Sequence, residues 1–179
     1  MNKGIEFKIP NEFGNYLKQI FDKVDSTNYI WKIEETEAYI DGVTNLFEMD
    51  KYSNHDFKNI ISQEKYYTVF ANIKLYETED KIVIRNYSDF LNSSCILILL
   101  ITDNVFVEVY SKSEDILKII YENALKSKFT GLNYITENNI KRKEFSAYSD
   151  WYHGGAIGDR DFWQRWKNQH KNEIIWYNK

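Results

Sequence analysis

The sequence predicts an α+β fold: a mainly antiparallel sheet, two amphipathic helices on one of its faces, and a Trp-rich C-terminal extension. Three observations carry this expectation. Apolar–polar alternation recurs in short runs joined by short polar turns, which is how antiparallel neighbours are connected. Residues 12–24 and 113–127 carry apolar side chains at helical spacing. Cys95–Ile101 is apolar on both faces, as a central strand is.

The elements follow in order. Gly4–Ile9 reads as a short strand, stopped by Pro10-Asn11, which also supplies a helix N-cap. Phe13, Tyr16, Leu17, Ile20, Phe21 and Val24 then form one apolar stripe over 12–24. Tyr29–Glu34 alternates as a strand, and Glu37–Ile40 suggests another. Residues 41–64 are poorly patterned, with a short helix expected over Asp56–Ser62. Tyr66–Tyr76 is β-branched and aromatic, with Val69, Ala71, Ile73 and Leu75 on one face. Lys81–Ile84 looks like its hairpin partner across the polar Glu77–Asp80 turn. Ser88–Leu91 suggests a single capped turn. Cys95–Ile101 and Val105–Tyr110 pair across Thr102-Asp103-Asn104. Ser113 caps the second helix, Glu114–Lys126, and Gly131–Ile135 reads as a further strand. The basic run Lys141-Arg142-Lys143 reads as a solvated loop, too short for nucleic acid.

A chain of 179 residues fits one domain, with a core over about 4–150 and residues 151–179 packed on it. The net charge of −4 argues against nucleic-acid or anionic-membrane partners. The single cysteine, Cys95, rules out an internal disulfide and fits a reducing compartment. No signal-peptide pattern opens the chain, and no apolar run approaches the roughly 20 residues of a helical membrane span. A cytoplasmic location is therefore expected. Lysine outnumbers arginine 19 to 4, and Ile, Asn, Tyr and Phe are abundant, the signature of an AT-rich genome. That bias does not explain the five tryptophans, of which Trp151, Trp163, Trp166 and Trp176 all fall in the extension.

Several constellations bear on chemistry. Cys95 heads the most apolar segment and is expected to be a small buried hydrophobe rather than a nucleophile. No Gly-x-Ser-x-Gly elbow is present, and His55, His153 and His170 show no helical metal-ligand spacing. No metal or cofactor is expected. His153 with Asp159, Asp161 and Trp163 forms the one grouping that would suit a small ligand-binding or hydrolase-like site; the plainer reading is a polar loop and helix cap. Gly154–Gly158 precedes that stretch, but Asp159 and Asp161 would repel a phosphate. Glu34, Glu35, Glu37, Asp41, Glu48, Asp50 and Asp56 crowd one segment, opposed only by Lys51, which leaves a local charge of −6. Interleaved with Tyr39, Phe47, Met49 and Tyr52, they resemble an acidic face for a basic protein partner.

Several stretches resemble a known family: Gly4–Gly14, Tyr29–Ile33 with Glu37-Ala38-Tyr39, Asp89–Cys95, and Tyr134–Asn139. Together they resemble DUF2691, a small uncharacterised family of Gram-positive, Bacillus/Clostridium-type bacteria. The likeness covers about residues 4 to 151. It implies a small cytosolic protein of unknown function and transfers no catalytic residue. Small size, an acidic balance, the acidic aromatic segment and the lack of an active-site motif give the expectation of a non-enzymatic interaction module, such as an immunity protein that neutralises a toxin domain. Its binding face would comprise Glu34, Glu35, Glu37, Tyr39, Asp41, Phe47 and Tyr52.

Overall fold

The structure is a computed structural model that describes residues 2–148. Its strands are β1 (Gly4–Lys8), β2 (Ile30–Tyr39), β3 (Lys51–Ser53), β4 (Tyr67–Tyr76), β5 (Cys95–Thr102), β6 (Phe106–Ser111) and β7 (Thr130–Ile135). They form one sheet in the order β3-β2-β4-β5-β6-β1-β7, and every pairing is antiparallel. The helices are α1 (Tyr16–Ile20), α2 (Asn54–Ile61), α3 (Tyr87–Asn92) and α4 (Glu114–Lys126). The α+β class and the antiparallel sheet are as the sequence predicts.

The main core lies between one sheet face and α1, α2 and α4. There Trp31, Ile73, Leu99 and Val109 meet Leu17, Phe57, Leu117 and Ile120. The opposite face is covered by α3 and an irregular strap, residues 140–148, through Phe90, Ile140 and Phe145 over Tyr76, Ile98, Leu100 and Tyr110. With both faces covered, β4 and β5 are buried along their whole length. That explains why β5 is a continuous apolar run instead of an alternating one. The helix expected over 113–127 forms with the anticipated cap: Ile116 N donates to Ser113 Oγ.

Other expectations are corrected. The helix expected over 12–24 is confined to Tyr16–Ile20. Ahead of it, Gly14 is bridged to Tyr66 by two backbone hydrogen bonds, and behind it Lys23 takes a left-handed φ of 58°, so the helix is cut at both ends. Asn15, not Asn11, occupies the N-cap, and its side chain makes no cap bond. The stripe is buried regardless: Leu17, Ile20, Phe21 and Val24 all join the core. The two strands read at 29–34 and 37–40 are one strand, β2, interrupted by a bulge where Glu35 has φ 42°. Lys81–Ile84 is not a hairpin partner of β4, whose two edges are taken by β2 and β5. Residues 77–86 instead form a loop held by Asp80, which accepts from Ile82 N (2.9 Å) and Ser94 N (2.6 Å). The extension read over 151–179, with its expected helix and closing strand, lies outside the described residues.

Candidate functional site

The acidic segment divides into an inward and an outward half. The bulge at Glu35 turns successive carboxylates onto the strap side of the sheet. Glu34 forms an ion pair with the buried Lys74 of β4. The Glu35 carboxylate accepts from Ala147 N at 2.9 Å and Asn72 Nδ2 at 3.3 Å. Glu37 is buried, and the Tyr148 hydroxyl donates to it at 3.5 Å. Glu35 and Glu37, together with half-buried Tyr39, are part of how the strap is seated, while Glu34 stays exposed and pairs within the sheet.

Phe47 and Tyr52 lie in the core, which corrects their reading as surface anchors. Phe47 stacks on Phe57 with ring centroids 6.0 Å apart, and Phe57 in turn stacks on Trp31 at 3.9 Å. The Tyr52 hydroxyl accepts from the backbone N–H of Glu48 (2.8 Å) and Met49 (2.7 Å), and so holds the 41–50 loop from inside. Asp41 organises the loop's first turn by accepting from Val43 N, Thr44 N and Thr44 Oγ1. Those bonds, led by the Thr44 N–H, hold its carboxyl below the usual range. Asp56 belongs to α2: its N–H donates to the Ser53 hydroxyl, and its carboxylate accepts a hydrogen bond from that hydroxyl.

What remains outward is a compact set beside the edge strand β3. Asp41, Glu48 and Asp50 are exposed, and among them Val43 and Met49 stand 77% and 57% exposed. Large apolar side chains that open to water are few in the described residues, and two of the six sit on this one loop. A loop held rigidly by Asp41 and Tyr52 that presents carboxylates around apolar tips is suited to protein contact.

The sequence reading missed a second polar centre. Arg142 is buried, not solvated: its Nε and Nη2 both donate to Glu108 of β6, while Nη1 donates to Ser146 O (2.9 Å). The Tyr110 hydroxyl donates to the same Glu108 carboxylate at 2.9 Å. Glu6 of β1 sits directly opposite Glu108 in the sheet. Burial, then the Glu108 charge, pushes the Glu6 carboxyl up, with Lys141 opposing. A signal existed: in a chain so biased to lysine, an arginine marks a place where a planar, two-donor fork is wanted.

Cys95 is buried, with its thiol against the Leu97 carbonyl at 3.1 Å. Burial pushes its pKa up to about 12. Among the described residues, no three His, Cys, Asp or Glu side chains are grouped to hold a metal, and no helix is long and apolar enough to cross a membrane. His153, Asp159, Asp161 and Trp163 lie outside the described residues.

The comparisons agree with the likeness seen in the sequence. The chain is 32% identical over 154 residues to the uncharacterised protein YncE of Bacillus subtilis (strain 168), an alignment that covers 82% of this chain and all of that protein. No solved structure matches it significantly. The family described as protein of unknown function (DUF2691) matches residues 2–146, the sheet, its helices and most of the strap, and the chain belongs to that family.

Proposed function

We propose that this chain is a cytoplasmic, non-enzymatic protein-interaction module, of the immunity-type neutraliser kind, that meets a basic partner through its 41–50 loop. The observation that carries this reading is the exposed set Asp41, Glu48 and Asp50 around Val43 and Met49. Carboxylates at the rim speed encounter with a positive surface, and apolar tips give the contact its lifetime. A pre-shaped loop loses little entropy on binding. The buried, weakly acidic thiol of Cys95 fits a reducing compartment. In this reading the whole chain is one domain, with residues 151–179 packed on the core as its Trp-rich extension.

The test is recovery of a basic protein from lysate of a bacterium that encodes the chain. A triple variant, Asp41→Asn, Glu48→Gln and Asp50→Asn, should recover much less of it. A control with equal charge loss on α4, Glu114→Gln, Asp115→Asn and Glu122→Gln, should recover as much as the unmodified chain. Equal recovery by the loop variant would sink the proposal.

A further inference from the structure

A polar cleft of about 420 Å³ lies between α1 and α4 and shares no residue with the 41–50 loop. Its most buried lining residue is Asn123 of α4, 6% exposed. Asn123 Nδ2 donates to Ile20 O at 3.0 Å and to Asp22 O at 2.6 Å, which uses both amide hydrogens and ties α4 to α1. The other half of that amide, Oδ1, has no partner among the described residues, yet it is not sealed off and opens on the cleft. The wall beside it follows the same pattern. Gln19 Nε2 donates to Asn15 Oδ1 at 2.9 Å, which leaves Asn15 Nδ2 to donate and Gln19 Oε1 to accept. Neither of those atoms, nor the Ser127 hydroxyl or the Lys18 ammonium, has a partner among the described residues. Lys126 is paired with Asp22 at 3.5 Å, so Lys18 is the lining charge without a counter-charge there.

We propose that this cleft is a second binding site, for a hexose-sized polyhydroxylated ligand that carries one anionic group, the class of the sugar phosphates. Pockets of this size are usually walled by apolar side chains. Here every lining residue is polar, so an apolar ligand would strip water from amides that it could not bond in return. A simple anion brings acceptors only and would leave Gln19 Oε1 and Asn123 Oδ1 unmet. A hydroxyl both donates and accepts, so a ring of them satisfies those two oxygens and Asn15 Nδ2 together. Lys18 takes the anionic group through a charge-assisted hydrogen bond. The amides are oriented before the ligand arrives, by the Gln19–Asn15 bond and by the two bonds of Asn123, so little side-chain freedom is lost on binding.

The experiment is titration of the isotope-labelled full chain with the 6-phosphates of glucose, fructose, mannose and galactose. Free glucose and inorganic phosphate are the comparison probes. The side-chain amide resonances of Asn15, Gln19 and Asn123 report on the cleft itself. At least one hexose phosphate should shift them saturably and bind about ten-fold or more tightly than either comparison probe. Lys18→Ala should weaken that binding about ten-fold and Gln19→Ala about five-fold, since each removes one polar contact. Lys118→Ala, an exposed change on α4 outside the cleft, should leave it unaltered. Inorganic phosphate bound as tightly as the hexose phosphates would reduce the cleft to an ammonium site and overturn the proposal. Free glucose bound as tightly would remove the anionic group from the ligand class and overturn it as stated. No saturable shift with any hexose phosphate, or equal losses from Lys18→Ala and Lys118→Ala, would overturn it as well.

Discussion

Arg142 and Glu108 form a buried ion pair that crosses from the strap to the sheet, with side-chain exposures of 2% and 5%. The same guanidinium holds the strap's own Ser146 carbonyl, and Tyr110 completes the carboxylate's shell. Charges this deep persist only when each finds its partners.

Removing one partner should therefore be severe. Arg142→Ala leaves Glu108 buried without its counter-charge and should cost about 3–5 kcal/mol in denaturant unfolding. Arg142→Met with Glu108→Leu should recover much of that loss, because neither charge is left alone. Should Arg142→Ala unfold at an unchanged denaturant midpoint, the strap is not held by this pair.

Glu6 should make stability depend on pH. Its folded pKa lies above the usual glutamate value, mainly through burial. The folded state thus binds this proton more tightly than the unfolded chain does. The favourable contribution is present below the unfolded value and is lost as pH rises through the folded one. Glu6→Gln should match the unmodified protein at low pH and exceed it at neutral pH, read as the melting-temperature difference between about pH 4 and pH 7. A difference that is largest at low pH would contradict the assignment.

Phe47→Ala should act on the fold. Its ring is part of the Phe47–Phe57–Trp31 stack, so truncation should cost about 3–5 kcal/mol, measured by thermal or denaturant unfolding. A loss below about 1 kcal/mol would mean that the ring is not packed there.

Binding by the 41–50 loop should show its electrostatics in the rate. The Asp41→Asn, Glu48→Gln, Asp50→Asn variant should associate with the partner several-fold more slowly and with a flatter salt dependence, since screening shortens to about 10 Å at 0.1 M salt. Neutralising Glu35 and Glu37 should instead disturb the strap, because those carboxylates are tied to Ala147 and Tyr148. Unchanged association by the loop variant would exclude this face.

Cys95 should resist thiol reagents in the native protein and react on unfolding, because it is buried and its pKa is raised to about 12. Rapid stoichiometric labelling under native conditions would show that β5 opens at its start.

Local order along the chain was enough for the elements whose cause is local. The Cys95–Tyr110 hairpin shows in one apolar run, a short turn and an alternating return strand. The helix at Glu114–Lys126 shows in Ser113 and an apolar stripe. The acidity of residues 34–56 is likewise plain from the sequence. Tertiary structure decided everything that depends on a distant partner. Gly14 meets Tyr66, so the first helix is short. β2 and β5 occupy both edges of β4, so Lys81–Ile84 has no strand to pair with. The strap returns over the sheet, so Arg142 is buried and Glu35 and Glu37 are engaged by Ala147 and Tyr148. Periodicity reports which face of an element is apolar. It does not report which neighbour, dozens of residues away, will supply a hydrogen bond or a counter-charge, and that choice sorts this chain's acids into structural ones and those left at the surface.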